Sequence, residues 1–268
     1  MSNFYFTINS KIIIMCLILI ARNQHHQYKL ILAANRDEFY ARESEQVNFW
    51  QDYPFILAGK DLSAGGTWMG ITKVGKFCAI TNYRDLKNVK SNAPSRGEVV
   101  LNYLTGSESA VEYSEILINR GEMYNGFNLI YGTVDELFYY SNKSNQVEKL
   151  ENSIYGLSNH FLDTPWHKNI RAKARFTELI SQNELSEDSF LDLLTDDFQA
   201  SDDELPETGV GKEWEKILSP IFIKSEIYGT RCSTIIKVTH DNQVEFTEVT
   251  HDSITSGDKR VSYNFKIE

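Results

Sequence analysis

The sequence predicts an α+β fold in which strands at both ends of the chain frame a helical middle. Short apolar runs separated by turn residues fill Cys16 to Thr81 and Arg231 to Ile267. Segments with helical apolar spacing lie between them, from Val99 to Arg120 and from Trp166 to Leu194. No internal repeat, low-complexity tract or linker divides the chain, so sheets with segregated helices are the expected architecture.

Element by element, Cys16 to Ala21 and Leu30 to Ala34 read as a hairpin around the polar Arg22 to Lys29 tip, a pairing that brings Cys16 near Asn35 to Glu38. Thr67 to Thr72 and Phe77 to Thr81 read as a second hairpin around Val74-Gly75-Lys76, approached flexibly through Gly65-Gly66. Ser95 and Glu98 have capping-box spacing, which starts a helix there, and a second helix is expected from Glu108 to Arg120. Phe127 to Thr133, Leu137 to Tyr140, Val147 to Leu150 and Ile154 to Leu157 suggest a meander. Helices follow at Trp166 to Ser181 and Glu187 to Leu194, then an acidic loop from Asp196 to Gly211 that could cover a site. Strands at Arg231 to Val238 and Gln243 to Val249, turning at His240-Asp241-Asn242, and at Val261 to Ile267 complete the chain.

With 268 residues, 30.8 kDa and 41% hydrophobic residues, the chain can bury a large core, and one domain is expected. A formal net charge of -10 without a basic run argues against nucleic acid as a partner. Three cysteines, Cys16, Cys78 and Cys232, lack the number and spacing of a disulfide framework or zinc site, which fits a reducing, cytoplasmic setting. No phosphate loop or dinucleotide fingerprint appears, and no cofactor is expected. His25-His26 point apart on an extended tip, a poor start for a metal site.

The apolar run from Ile12 to Ala21 admits a signal-peptide reading, yet it has only Lys11 before it and no small-residue cleavage site after it. It also falls short of the roughly 20 apolar residues that span a bilayer, so no stable membrane insertion is expected. Leu17 to Ile20 suit a buried strand instead.

Met15 precedes Cys16 directly. Initiation at Met15, or cleavage after it, followed by loss of the methionine would leave a cysteine with a free α-amine. Such an amine, titrating near ~7.7–8.0, can take the proton of its own side chain. A thiol near pKa ~8.5 needs only a modest downward shift, which a nearby arginine can supply. Taken alone, Cys16 reads more readily as a small buried hydrophobe.

Several ordered blocks carry a resemblance. Cys16-Leu17-Ile18 after a methionine, Ala33-Ala34-Asn35-Arg36-Asp37-Glu38-Phe39, Ala58-Gly59-Lys60-Asp61 and Gly65-Gly66-Thr67-Trp68 follow one another. Thr81-Asn82-Tyr83-Arg84, Ser95-Arg96-Gly97-Glu98, Gly156-Leu157-Ser158-Asn159 and Tyr228-Gly229-Thr230-Arg231-Cys232-Ser233-Thr234 continue the series. In order and spacing they resemble the NRDE family, also called the Transport and Golgi organisation 2 family, over nearly all of the chain from Met15 on. The implied domain is 16–268, with 1–15 an extension that is removed or not translated.

The family layout is in turn similar to the cysteine-type N-terminal nucleophile hydrolases, which have a four-layer αββα fold and cleave carbon-nitrogen amide bonds. That likeness implies Cys16 as nucleophile, Asp37 as the carboxylate holding its amine, Asn82 at the asparagine-aromatic step, Asn159 as oxyanion donor and Arg231 close to the nucleophile. In bile salt hydrolases an arginine stands three residues before the aspartate; here Ala34 does, with Arg36 beside Asp37 and directed to the other strand face unless the chain bulges. Two functions are implied: an amidohydrolase acting on a small acyl-amide, or a non-catalytic carrier or trafficking factor in haem or lipid handling or Golgi organisation.

Overall fold

The structure, a computed structural model, describes residues 16–251 and 257–268. The extension expected over residues 1–15 lies outside them. Two antiparallel sheets form the body. The first has six strands: β1 (Cys16–Arg22), β2 (Tyr28–Phe39), β10 (Ile154–Leu157), β11 (Tyr228–Thr239), β12 (Gln243–Thr250) and β13 (Lys259–Lys266), in the order β10-β1-β2-β11-β12-β13. The second has seven in sequential order: β3 (Ser44–Phe49), β4 (Ile56–Asp61), β5 (Met69–Thr72), β6 (Lys76–Asn82), β7 (Phe127–Thr133), β8 (Glu136–Ser141) and β9 (Gln146–Lys149).

The alternation of side chains along β1 shows how the layers stack. Ile18 and Ile20 point between the sheets, against Leu57, Ile71, Phe77 and Ile130 of the second sheet. Leu17, Leu19 and Ala21 point outward, against Phe176, Phe190 and Leu194. Those partners belong to α3 (His167–Ile180) and α4 (Glu187–Leu194). On the far side, α1 (Gly97–Thr105) and α2 (Ala110–Arg120) cover the second sheet through Val100, Tyr103, Leu104 and Leu117. The result is a four-layer αββα sandwich. A strand with a core on each face must be apolar throughout, which is why Cys16 to Ala21 looks like a continuous hydrophobic run.

Some local expectations are corrected. The helix at Ser95 begins without the expected capping box: Arg96 is the N-cap, Ser95 Oγ accepts from Gly97 at 3.3 Å, and Glu98 accepts the Tyr124 hydroxyl at 2.6 Å. The reciprocal box occurs at Ser109 and Glu112, heading α2. The meander ends at β9; β10 crosses to the first sheet and pairs with β1, Ile18 opposite Leu157. β3, β4 and the short α5 (Lys212–Ile217) were not expected, and the 196–211 segment is a loop.

Gly66 earns its place by contact rather than flexibility. A Cβ there would meet the Gly97 carbonyl carbon at 2.5 Å, and Thr67 N–H donates to Gly97 O at 3.4 Å. Two glycines thereby let the loop between β4 and β5 press on the start of α1 and set Arg96 beside the first sheet's end.

Candidate active site

A cleft of about 690 Å³ opens between the two sheets, with Cys16, Arg36 and Cys232 on one wall and Trp68, Ile80 and Asn82 on the other. Register explains the first wall. Cys16 pairs with Arg36 across β1 and β2, and Cys232 pairs with Arg36 across β11 and β2. Directly opposed residues of antiparallel strands share a face, so all three side chains point into the cleft. Arg36 faces away from Asp37, as alternation along an unbulged β2 requires, and this puts it beside Cys16.

Asp37 occupies the opposite face, fully buried under α3. Its Oδ1 accepts from Thr230 Oγ1 at 2.7 Å, while Oδ2 lies 3.9 Å from Lys168 Nζ. Neither Oδ2 nor Lys168 Nζ has a hydrogen-bond partner among the described residues. Burial pushes the Asp37 carboxyl up to about 6 against the attraction of Lys168, and pushes the Lys168 ammonium down to about 8.

Asn159, completely buried after β10, binds the main chain on both sides of the site. Its Oδ1 accepts the Cys16 backbone N–H at 3.2 Å, and its Nδ2 donates to the Asn82 carbonyl at 2.8 Å. The crossover of β10 makes this possible, because it delivers Asn159 from the second sheet's side to the start of β1. Asn82 itself ends β6 and lines the cleft.

Arg231 sits at a β-bulge, the residue skipped between the Thr230–Asp37 and Cys232–Arg36 pairs. Its Nη1 donates to the carbonyls of Phe39 at 3.0 Å, Tyr40 at 3.2 Å and Arg42 at 3.0 Å, fixing the segment after β2. The structure thus gathers Cys16, Asp37, Asn82 and Asn159 around the start of β1, while Arg231 lines the same cleft with its guanidinium turned to the main chain.

The sulfur is not a ready thiolate. Burial, followed by the Asp37 charge, pushes the Cys16 thiol up to about 12, despite the opposing Asp37 backbone N–H and the Arg36 guanidinium. Arginine therefore does not supply the net downward shift expected from the sequence. Cys78 is buried in the second sheet's outer core, and Cys232 lies against Glu248; burial raises both thiols. His25 is a turn residue bonded to the Gln182 carbonyl at 3.0 Å.

Sequence reasoning left the role of Arg36 open and gave Arg96 no place in the site. Counting equal numbers of residues outward from the Arg22 to Lys29 tip puts Asn35 opposite Cys16; the observed register, with Arg22 opposite Leu30, moves Arg36 there instead. No local signal marked Arg96, which reaches the cleft only through the Gly66–Gly97 contact.

The sequence model described as Transport and Golgi organisation 2 matches residues 15–253. The mouse Transport and Golgi organization 2 homolog is 36% identical over 259 residues, covering 90% of this chain and 94% of that protein. The human homolog is 37% identical over 238 residues, covering 82% and 86%. The Drosophila melanogaster protein is 28% identical over 266 residues, covering 88% and 92%. Among solved structures, a mutant conjugated bile acid hydrolase from Clostridium perfringens aligns at a TM-score of 0.49 with 8% identity, over 96% of this chain and 97% of that one. A Caenorhabditis elegans N-acylethanolamine-hydrolyzing acid amidase ortholog aligns at 0.41 with 11% identity, over 82% and 92%. The family match over most of the chain, together with relatives at this identity across nearly their whole length, establishes that the chain belongs to the Transport and Golgi organisation 2 family.

Proposed function

We propose that this protein is an N-terminal cysteine amidohydrolase acting on a small acyl-amide, with the working unit running from Cys16 and the preceding residues removed or not translated. The observation that carries the reading is a Cys16 whose sulfur lines the cleft and whose main-chain nitrogen is held by Asn159, within the electrostatic reach of a buried Asp37 whose Oδ2 lacks a hydrogen-bond partner among the described residues. A free α-amine at Cys16 would be positioned by Asn159 Oδ1 and charge-balanced by Asp37. The α-amine takes the thiol proton as sulfur attacks the carbonyl carbon of the amide; as the tetrahedral intermediate collapses to a thioester, the α-ammonium gives that proton to the departing amide nitrogen, which leaves as the free amine. Water, deprotonated by the same α-amine, then hydrolyses the thioester to the free acid and restores the thiol. A base that removes the proton during attack suits a thiol held at about 12. In this reading the oxyanion is met by the asparagine pair Asn159 and Asn82, which are joined by the bond from Asn159 Nδ2 to the Asn82 carbonyl; one such donor contributes on the order of 3 kcal/mol.

The test is turnover of an acyl-amide panel by protein beginning at Cys16, alongside its Cys16→Ala variant. Hydrolysis by the first and not the second is expected; equal turnover removes Cys16 as the nucleophile. A carrier reading, for haem, a lipid or another small ligand in Golgi-linked trafficking, is supported by the burial of Cys16 beside the Asp37 charge, which raises its thiol and disfavours a nucleophilic thiolate in the unprocessed chain. It requires ligand binding without turnover by protein of either start.

A further inference from the structure

We propose that Arg36 and Arg96 form a carboxylate-reading subsite beside Cys16, so that the cleft takes an amide bearing a carboxylate close to the amide bond, as in an N-acyl amino acid. The assignment of the amide rests on the amidohydrolase reading, whereas recognition of the anion stands on the cleft itself. On a chain with a formal charge of -10, six basic and four acidic side chains line this cleft, a local surplus of two positive charges.

Four of the six basic groups are already engaged. Arg42 donates twice to Asp61 Oδ2, at 2.9 and 2.6 Å, and Arg231 is held by three carbonyls. Lys90 bonds the Glu122 carbonyl, and the Lys60 ammonium lies over the Trp50 ring at 5.0 Å. Arg36 and Arg96 keep donors to spare. Arg36 makes no hydrogen bond with another described residue, and its ionic contact, Glu38 Oε2, is 3.7 Å away. Arg96 makes one, to the Gly126 carbonyl at 3.2 Å.

Both guanidiniums face the cleft, where a bound ligand can take up the donors that the protein leaves unused. Burial already pulls Arg96 down to about 10. The nearby acids do not satisfy these arginines: Glu38 accepts Phe39 N–H at 2.9 Å and contacts Arg42, and Glu248 accepts Val47 N–H at 2.8 Å. The planar guanidinium fork matches a carboxylate in two parallel hydrogen bonds. Phe39, Trp68 and Ile80 supply an apolar wall for an acyl chain.

The experiment is calorimetric titration of the full chain carrying Cys16→Ala, which blocks turnover, with N-hexanoylglycine and with its neutral N-methylamide. The acid should bind at least about tenfold more tightly at low salt, with the difference shrinking as salt rises. In Arg96→Gln and in Arg36→Gln the two ligands should converge to within about twofold through weaker binding of the acid alone. Arg36→Lys, which keeps charge but loses the fork, should retain an intermediate preference. Equal affinities in the parent protein would overturn the subsite without any arginine variant having to fold, and so would a preference that survives both glutamine substitutions. Selective binding of the acid with no hydrolysis in the Cys16-start protein would preserve the subsite and remove the hydrolase reading. Hydrolysis of acid and neutral amide with equal kcat/KM would do the reverse.

Discussion

Lys168 Nζ and Asp37 Oδ2 face each other at 3.9 Å, both residues almost wholly buried and neither atom hydrogen-bonded among the described residues. A structural ion pair would close this gap. In the proposed reading this carboxylate's spare bonding capacity serves a terminal amine at Cys16.

The pair has a defined pH signature. Asp37 titrates at about 6 when folded against 3.8 ordinarily, so the folded state binds the extra proton in that window and stability falls as pH rises through it. Lys168 titrates at about 8 against 10.5, so its cost is present below about 8 and relieved as pH climbs to 10.5. Both costs coincide between pH 6 and 8. The stability difference between Asp37→Asn/Lys168→Met and the parent protein, from urea melts across pH, should be most favourable to the double variant in that interval. A difference independent of pH would contradict it. At pH 7 the two single variants should couple by about 1–3 kcal/mol.

Cysteine reactivity gives a second prediction. With the Cys16 thiol at about 12 and Cys78 and Cys232 also raised by burial, the full chain should react with iodoacetamide at pH 7.5 at least about 100-fold more slowly than free cysteine. Mass spectrometry of quenched time points measures this. Rapid labelling at Cys16 would mean that a thiolate is already present.

Gly66→Ala tests how Arg96 is delivered. The added methyl would stand 2.5 Å from the Gly97 carbonyl carbon, where both sides are main chain and cannot rotate away. Destabilisation of about 1–3 kcal/mol is expected, with α1 pushed from the loop and ligand affinity reduced. Gly65→Ala, at φ 77 with nothing within 4 Å, should cost backbone strain only, about 1 kcal/mol, and leave affinity intact.

What the sequence revealed follows from what is local. The two-sided core made β1 legible as an apolar run, and a single tight hairpin placed Cys16 near Asn35 to Glu38, where the register puts it. β3 escaped notice because, apart from Val47, its residues stay half-buried or exposed along a sheet edge, so no alternation develops. The six-residue, charge-rich α5 has too few turns to show a period. β10 has ordinary strand character, but its partner β1 lies far back in the chain, and no local pattern names a partner. The same limit hid the cleft: Arg36 lies on the hairpin itself, whereas Arg96 and Lys168 arrive from separate elements, and Asn159 was named only through the family resemblance.

Peptide mass spectrometry of protein purified from its native cells, after brief exposure to an acyl-amide and acid quenching, addresses the proposed chemistry most directly. The account predicts an N-terminal peptide that begins at Cys16 and carries the acyl group as a thioester on its sulfur. A peptide that continues upstream through Met15, with Cys16 unmodified, would contradict it.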